Sequence, residues 1–167
     1  MRLFISVQAT EKMKTSLIGL LHEMKQQGIP GSYVPAANLH MTLVFIGEVS
    51  SAAEIREVMK QTPVESFRIT PEGFVNLRNA LCVGIKGNQK LKNYVGSLVK
   101  ELKKRGIPCD DRKYQPHITL IRKFGGKQPE NLSVPREEFQ VRKISLMKSE
   151  DKNGKRVYTE IFSVPVS

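Results

Sequence analysis

The chain has 167 residues, 40% hydrophobic and 26% charged, with a formal net charge of +11; this excludes a disordered or collagen-like chain and suits one cooperative unit, either a single domain or two packed lobes of about 80 residues. The positive field favours a polyanionic partner, nucleic acid first, because it concentrates phosphate-rich ligands near the surface. Two isolated cysteines, Cys82 and Cys109, exclude a disulfide framework and fit a reducing cytoplasm, while no apolar stretch approaches the ~20 residues of a membrane span or the apolar core of a secretory leader.

Residues 2–8 read as a strand with Leu3, Ile5 and Val7 on one face, and Thr10 then offers an N-cap for a helix to about Gln27. Its apolar face is Met13, Leu17, Leu20, Leu21 and Met24, and Gly28 with Pro30 stops it. A loop through Tyr33, Val34 and Pro35 leads to a strand over 39–46, then to a helix over about 51–60 with Ser50 and Ser51 as cap candidates. Strands are expected at 67–69 and 80–85, separated by a turn-rich connection. A helix over about 89–104 follows, burying Leu91, Tyr94, Val95, Leu98, Val99 and Leu102, and Gly106 and Pro108 end it. The last strands are 117–122, 139–148 and 156–164, with Asn153-Gly154 as the hairpin turn of the closing pair. The sum is an α+β architecture of two lobes, mostly antiparallel sheet with helices packed outside.

Two of the three histidines stand in one repeated frame, His40-Met41-Thr42-Leu43 and His117-Ile118-Thr119-Leu120. Each copy follows a basic segment ending in Gly-Ile-Pro, at 28–30 and at 106–108, and each leads into an apolar run that ends at glycine. An internal repeat of this kind implies two lobes related by a pseudo-two-fold axis, with a cleft between them holding both histidines. On a strand, residues two apart share a face, so each motif presents an imidazole beside a hydroxyl while Met41, Leu43, Ile118 and Leu120 point into the core.

Two imidazoles whose unperturbed pKa is about 6.5 are suited to serve as acid and base near neutral pH. Across a phosphodiester, one would activate water and the other protonate the departing oxygen, with Thr42 and Thr119 holding the non-bridging oxygens. No third histidine or carboxylate stands beside either motif at ligand spacing, so no metal is expected. Arg122 is a candidate phosphate clamp, but five residues after His117 it would face away on a regular strand, so the role needs a bulge or the end of the strand; Phe45 has the same offset from His40. Phe4, Tyr33 and Tyr114 are candidates for base stacking, with packing beneath their loops or within the strand as the alternative and more common role for such rings. Lys103, Lys104, Arg105, Arg112 and Lys113 form the densest basic stretch, which would either guide an RNA backbone or serve as a solvated helix end. His22, inside the first helix, reads as structural or surface.

The paired motifs resemble the 2H phosphoesterase superfamily, and the chain around them is similar to its RNA 2′,3′-cyclic phosphodiesterase (2′-5′ RNA ligase) branch. The likeness runs through Arg2-Leu3-Phe4-Ile5, Val34-Pro35, residues 38–49, Gly73-Phe74, residues 116–120 with Arg122, Ile144-Ser145-Leu146, Ser149 and Tyr158. It implies one bilobal domain over 1–167 that hydrolyses an RNA 2′,3′-cyclic phosphate to a 2′-phosphate without metal or other cofactor. By the same analogy His40 is the proton donor to the 3′ oxygen, His117 the proton acceptor from water, and Thr42, Thr119 and Arg122 bind the phosphate. Joining of RNA ends through a 2′-5′ linkage is the reverse type of reaction. The alternatives are a cyclic phosphodiesterase for small nucleotides, such as an ADP-ribose cyclic phosphate or a 2′-5′ oligoadenylate, and a non-catalytic RNA-end-binding module. A cytoplasmic monomer with no obligate protein partner and no membrane association is expected.

Overall fold

The computed structural model describes residues 1–167. Helix α1 (Glu11–Gln26) starts where Thr10 Oγ1 accepts the Met13 N–H at 3.3 Å, and α3 (Gln89–Lys104) where Asn88 Oδ1 accepts from Lys90 and Leu91. Both end in the same way. The Ile29 N–H reaches back to the Met24 carbonyl and Gly28 to Lys25; Ile107 reaches Leu102 and Gly106 reaches Lys103. This double closure needs a left-handed residue after the cap, and Gly28 (φ 74°) and Gly106 (φ 70°) supply it. The repeated Gly-Ile-Pro is therefore a helix stop used twice. Helix α2 (Ala53–Gln61) departs from expectation: Ala52 holds the cap position, while Ser51 Oγ only accepts the Ala53 N–H at 3.2 Å. Ala52 is buried in the core, and that packing fixes the start.

The strands are β1 (Arg2–Gln8), β2 (Ser32–Tyr33), β3 (His40–Glu48), β4 (Arg68–Ile69), β5 (Pro71–Leu77), β6 (Ala80–Ile85), β7 (His117–Arg122), β8 (Phe139–Gln140), β9 (Lys143–Lys152) and β10 (Lys155–Pro165). One antiparallel sheet runs β10-β9-β1-β3-β7-β6-β5, with β2 added against the far end of β7, and β4 pairs with β8 separately. Leu3, Ile5 and Val7, Met41 and Leu43, and Ile118 and Leu120 share a single apolar core with the buried faces of α1, α2 and α3. The mixed, mainly antiparallel α+β class is as the sequence indicates.

The two halves repeat residue by residue. In β1/β3, Val7 faces Met41, Ser6 faces Thr42 and Ile5 faces Val44; in β6/β7, Val83 faces Ile118, Cys82 faces Thr119 and Leu81 faces Ile121. Each histidine strand carries one extra residue at the same place, Leu43 in β3 and Leu120 in β7, so both have a β-bulge three residues after the histidine. The halves meet at β3 and β7 through the pair Met41↔Ile118, the central residue of each His-x-Thr motif.

Three elements differ from the sequence reading. The connection before β6 is itself a strand, β5, joined to β6 by the two-residue turn Arg78-Asn79 with φ of 48° and 61°. Ser32-Tyr33 is a short strand rather than loop, and the expected strand at 139–148 divides into β8 and β9. The closing hairpin turns at Asn153-Gly154 with both φ positive, as its two-residue geometry requires. Because Ile118 is fully buried where the halves join, Ile118→Ala should lower stability by about 2–5 kcal/mol while Ile118→Val should cost only about 0.5–1.5 kcal/mol, both read from urea midpoints.

Candidate active site

The sheet face away from the core floors a cleft of about 720 Å³, lined by both His-x-Thr pairs. Alternation delivers them: Met41 and Ile118 are buried, so His40, Thr42, His117 and Thr119 project to the other face. Each imidazole is held by the same contact. His40 Nδ1 lies 2.7 Å from the Asn38 carbonyl and His117 Nδ1 lies 2.8 Å from the Gln115 carbonyl. A carbonyl only accepts, so Nδ1 carries the proton and donates to it in each ring, and Nε2 is the nitrogen left for chemistry.

Beyond that shared anchor the half-sites diverge. Thr42 Oγ1 lies 3.0 Å from His40 Nε2, whereas Thr119 Oγ1 faces the Cys82 thiol at 3.7 Å. His40 is walled by two rings, Phe4 at 5.0 Å and Tyr158 at 5.2 Å between centroids. The position in β6 that matches Phe4 in the repeated register is Ala80, and the one that matches Gln8 is Gly84, so small residues border His117. Burial pushes the His40 pKa down from its ordinary value, and the nearby charges of Arg122 and His117 lower it further, while the Asn38 carbonyl opposes them.

The bulge at Leu120 resolves the parity problem at Arg122. Leu120 and Ile121 are both buried, which advances the strand by one and returns Arg122 to the side of His117 and Thr119. The matching bulge in β3 does the same for Phe45, whose exposed ring lines the opposite wall beneath the Arg2 guanidinium, 5.3 Å from its centroid. Arg2, Arg78, Arg112, Lys113, Arg122 and Arg156 surround the cleft against one carboxylate, Asp110. A wall so unbalanced attracts anions.

The basic stretch is largely neutralised at home. Lys103 pairs with Asp111, Lys104 with Glu101 and Arg112 with Asp110, and Arg105 donates to Gln61, which leaves Lys113 as its unpaired cation in the cleft. Of the two readings of the three aromatics, stacking on a base or packing, the contacts are those of packing. Phe4 is buried against His40. Tyr33 lies outside the cleft, with its hydroxyl donating to the Ile29 carbonyl and Lys25 over its ring. Tyr114 lines the cleft but donates its hydroxyl to the Thr42 carbonyl at 2.9 Å, bracing β3 from the other half. Burial raises its pKa. Residues brought to the cleft without being singled out for it by spacing include Arg2, Arg78, Cys82, Arg156 and Tyr158. For Cys82 the repeat carries the hint, since it stands opposite Thr119 as Ser6 does opposite Thr42, and Arg2 and Tyr158 are among the residues that carry the family resemblance.

Fold and cleft together define a class, that of phosphoesterases built on two facing histidine strands. The LigT like Phosphoesterase family model matches residues 83–158. An RNA 2′,3′-cyclic phosphodiesterase of Aeropyrum pernix is 31% identical over 119 residues, 66% of this chain and 68% of that protein. One of the same name from Archaeoglobus fulgidus is 29% identical over 164 residues, covering 89% and 91%. The crystal structure of E. coli LigT in apo form superposes with a TM-score of 0.85 at 22% identity, over 99% of this chain and 97% of that one. The chain belongs to the LigT-like family of 2H phosphoesterases.

Because burial lowers the His40 pKa, its ring should titrate below the free imidazole value of about 6.5 in an NMR pH series. Inorganic phosphate in the cleft would offset the Arg122 charge and favour the imidazolium, so its addition should move the His40 titration upward.

Proposed function

We propose that this protein hydrolyses the 2′,3′-cyclic phosphate end of RNA to a 2′-phosphate, with His40 as proton donor and His117 as proton acceptor. The carrying observation is the pair of imidazoles, each with Nδ1 tied to the carbonyl two residues before it and Nε2 turned to one cation-walled cleft. Relatives bearing the name RNA 2′,3′-cyclic phosphodiesterase supply the substrate class.

In the reaction, His117 Nε2 takes a proton from water as its oxygen bonds to phosphorus. The P–O3′ bond breaks on the opposite side, and the leaving 3′ oxygen takes a proton from His40 Nε2. The proton balance closes with His117 charged and His40 neutral, and exchange with solvent restores the starting states. Thr119 and Arg122 hold the non-bridging oxygens, where hydrogen bonds strengthen as charge develops. Thr42 would turn its hydroxyl from His40 Nε2 toward the phosphate once that nitrogen is protonated and can no longer accept.

The division of roles has physical support. Small residues border His117, which suits the imidazole that must meet water. Its counterpart, packed by Phe4 and Tyr158, is shielded and has a lowered pKa, and an imidazolium so placed is a stronger acid. A bound phosphodiester anion restores the charge that burial disfavours.

His40→Ala and His117→Ala should each reduce kcat by about 10²- to 10⁴-fold with far-ultraviolet circular dichroism unchanged. Product analysis on an RNA with a 2′,3′-cyclic end should give the 2′-phosphate; release of a 3′-phosphate would contradict the proposed proton donor. Activity requires protonated His40, so it falls as pH rises through that pKa. The free protein's value is depressed and the complex's is raised by the substrate anion, so the alkaline limb of kcat/KM should lie at lower pH than that of kcat. Coincident limbs would argue against His40 as the donor.

A further inference from the structure

Beside the histidine cleft runs a second trough, lined by Arg78, Asn79, Ala80, Arg122, Lys123, Phe124 and Gly125. Arg78, Ala80 and Arg122 line both, so the two are continuous across Arg122. No carboxylate lines the trough. Arg78, Arg122 and Lys123 are also absent from every ion pair in the molecule, although Arg112, Arg156, Lys103 and Lys104 all have carboxylate partners.

The backbone that carries these cations is unusual. Arg78 and Lys123 have φ of 48° and 52°, in the left-handed region where glycine or asparagine is at ease and a long side chain is not. Asn79 also lies there at 61°, and its carbonyl accepts the Phe124 N–H at 2.7 Å. That bond ties the β5–β6 turn to the segment after β7 and makes one ledge of the two. Strained backbone held in place by its surroundings points toward a use for the side chains it presents.

An RNA end whose cyclic phosphate lies between the histidines carries its next phosphodiester on the 5′ side of the same nucleotide, and that negative group must leave the cleft over one wall. We propose that the Arg78–Lys123 trough is the subsite for this 5′ phosphodiester, so that the protein takes the end of an RNA strand in preference to a free cyclic nucleotide. The inference rests on the hydrolytic reading of His40 and His117 given above. Elsewhere around the cleft Arg2 covers Phe45, Arg112 is paired with Asp110 and Arg156 with Asp151, which leaves Lys113 as a single cation with neither ring nor carboxylate against it.

The test compares Arg78→Asn/Lys123→Asn with the unaltered protein, asparagine being suited to left-handed backbone. Substrates are a nucleoside 2′,3′-cyclic phosphate and an oligoribonucleotide with the same end. Lys123→Asn alone, which lies outside the histidine cleft, should match the unaltered protein on the nucleotide; the double variant, which also removes a cleft cation at Arg78, should lose more kcat/KM on the oligonucleotide than on the nucleotide. The double variant's log-log salt slope on the oligonucleotide should be shallower by about 0.7, one single-strand phosphate no longer neutralised, which is about 2.6-fold over a fourfold change in salt. Equal losses on both substrates, or unaltered turnover of the oligonucleotide, would overturn the subsite. If the unaltered protein hydrolyses neither substrate, the cyclic-phosphate reading fails, and anisotropy with an oligoribonucleotide ending in a 2′-phosphate decides the trough separately. Weaker binding with a shallower salt slope in the variant supports it, and unchanged binding rejects it. Should the double variant fail to fold, Lys123→Asn alone serves, with a smaller change in slope.

Discussion

The pairing of Met41 with Ile118 is the contact on which the cleft depends. It joins β3 to β7, and through them the two halves of the sheet. Both side chains are buried in the core. The pleat then obliges the residues on either side of each, His40 with Thr42 and His117 with Thr119, to project from the opposite face. A slip of one residue in either strand would turn an imidazole into the core and a Met or Ile into the cleft. Apolar burial thus sets where the polar groups point.

A repeated register does not produce a symmetric site, because few positions decide the difference. Phe4 becomes Ala80, Gln8 becomes Gly84, Phe45 becomes Arg122, and Ser6 becomes Cys82. The first half is thereby closed and aromatic around its histidine, the second open and cationic. A cyclic phosphate is itself unsymmetrical, with one oxygen to release and one face to be attacked, and two unlike half-sites suit it better than two equal ones. The bulges at Leu43 and Leu120 contribute on both sides by returning the residue five after each histidine to the cleft.

Many elements were legible in the chain because their signals are local. Asn88 and Thr10 cap, Gly28 and Gly106 stop, and the apolar spacing of α1 and α3 marks the buried faces. Strand β5 was hidden because Pro71 and Gly73 read as turn residues, while its strand character comes from pairing with β6. The cap of α2 was misplaced because Ala52 owes its position to burial rather than to a side-chain hydrogen bond. The basic stretch could be read from the sequence as an RNA guide or as a solvated helix end, and the ion pairs to Asp110, Asp111 and Glu101 favour the second. Aromatic rings near a histidine in sequence were equally ambiguous: Tyr114 braces the Thr42 carbonyl, and the ring that borders His40 with Phe4 is Tyr158, far along the chain.

By itself the sequence determined the α+β class, the duplication, and the two imidazole-hydroxyl pairs, since strand alternation and helix caps act over a few residues. It also stated the condition for Arg122, a bulge or strand end, without being able to say whether it was met. Only the tertiary structure decided that Leu120 forms the bulge, that His40 is enclosed while small residues border His117, and that Arg78 and Lys123 meet at one ledge. Those facts depend on cross-strand register and on contacts between residues distant in the chain, and no local propensity encodes them.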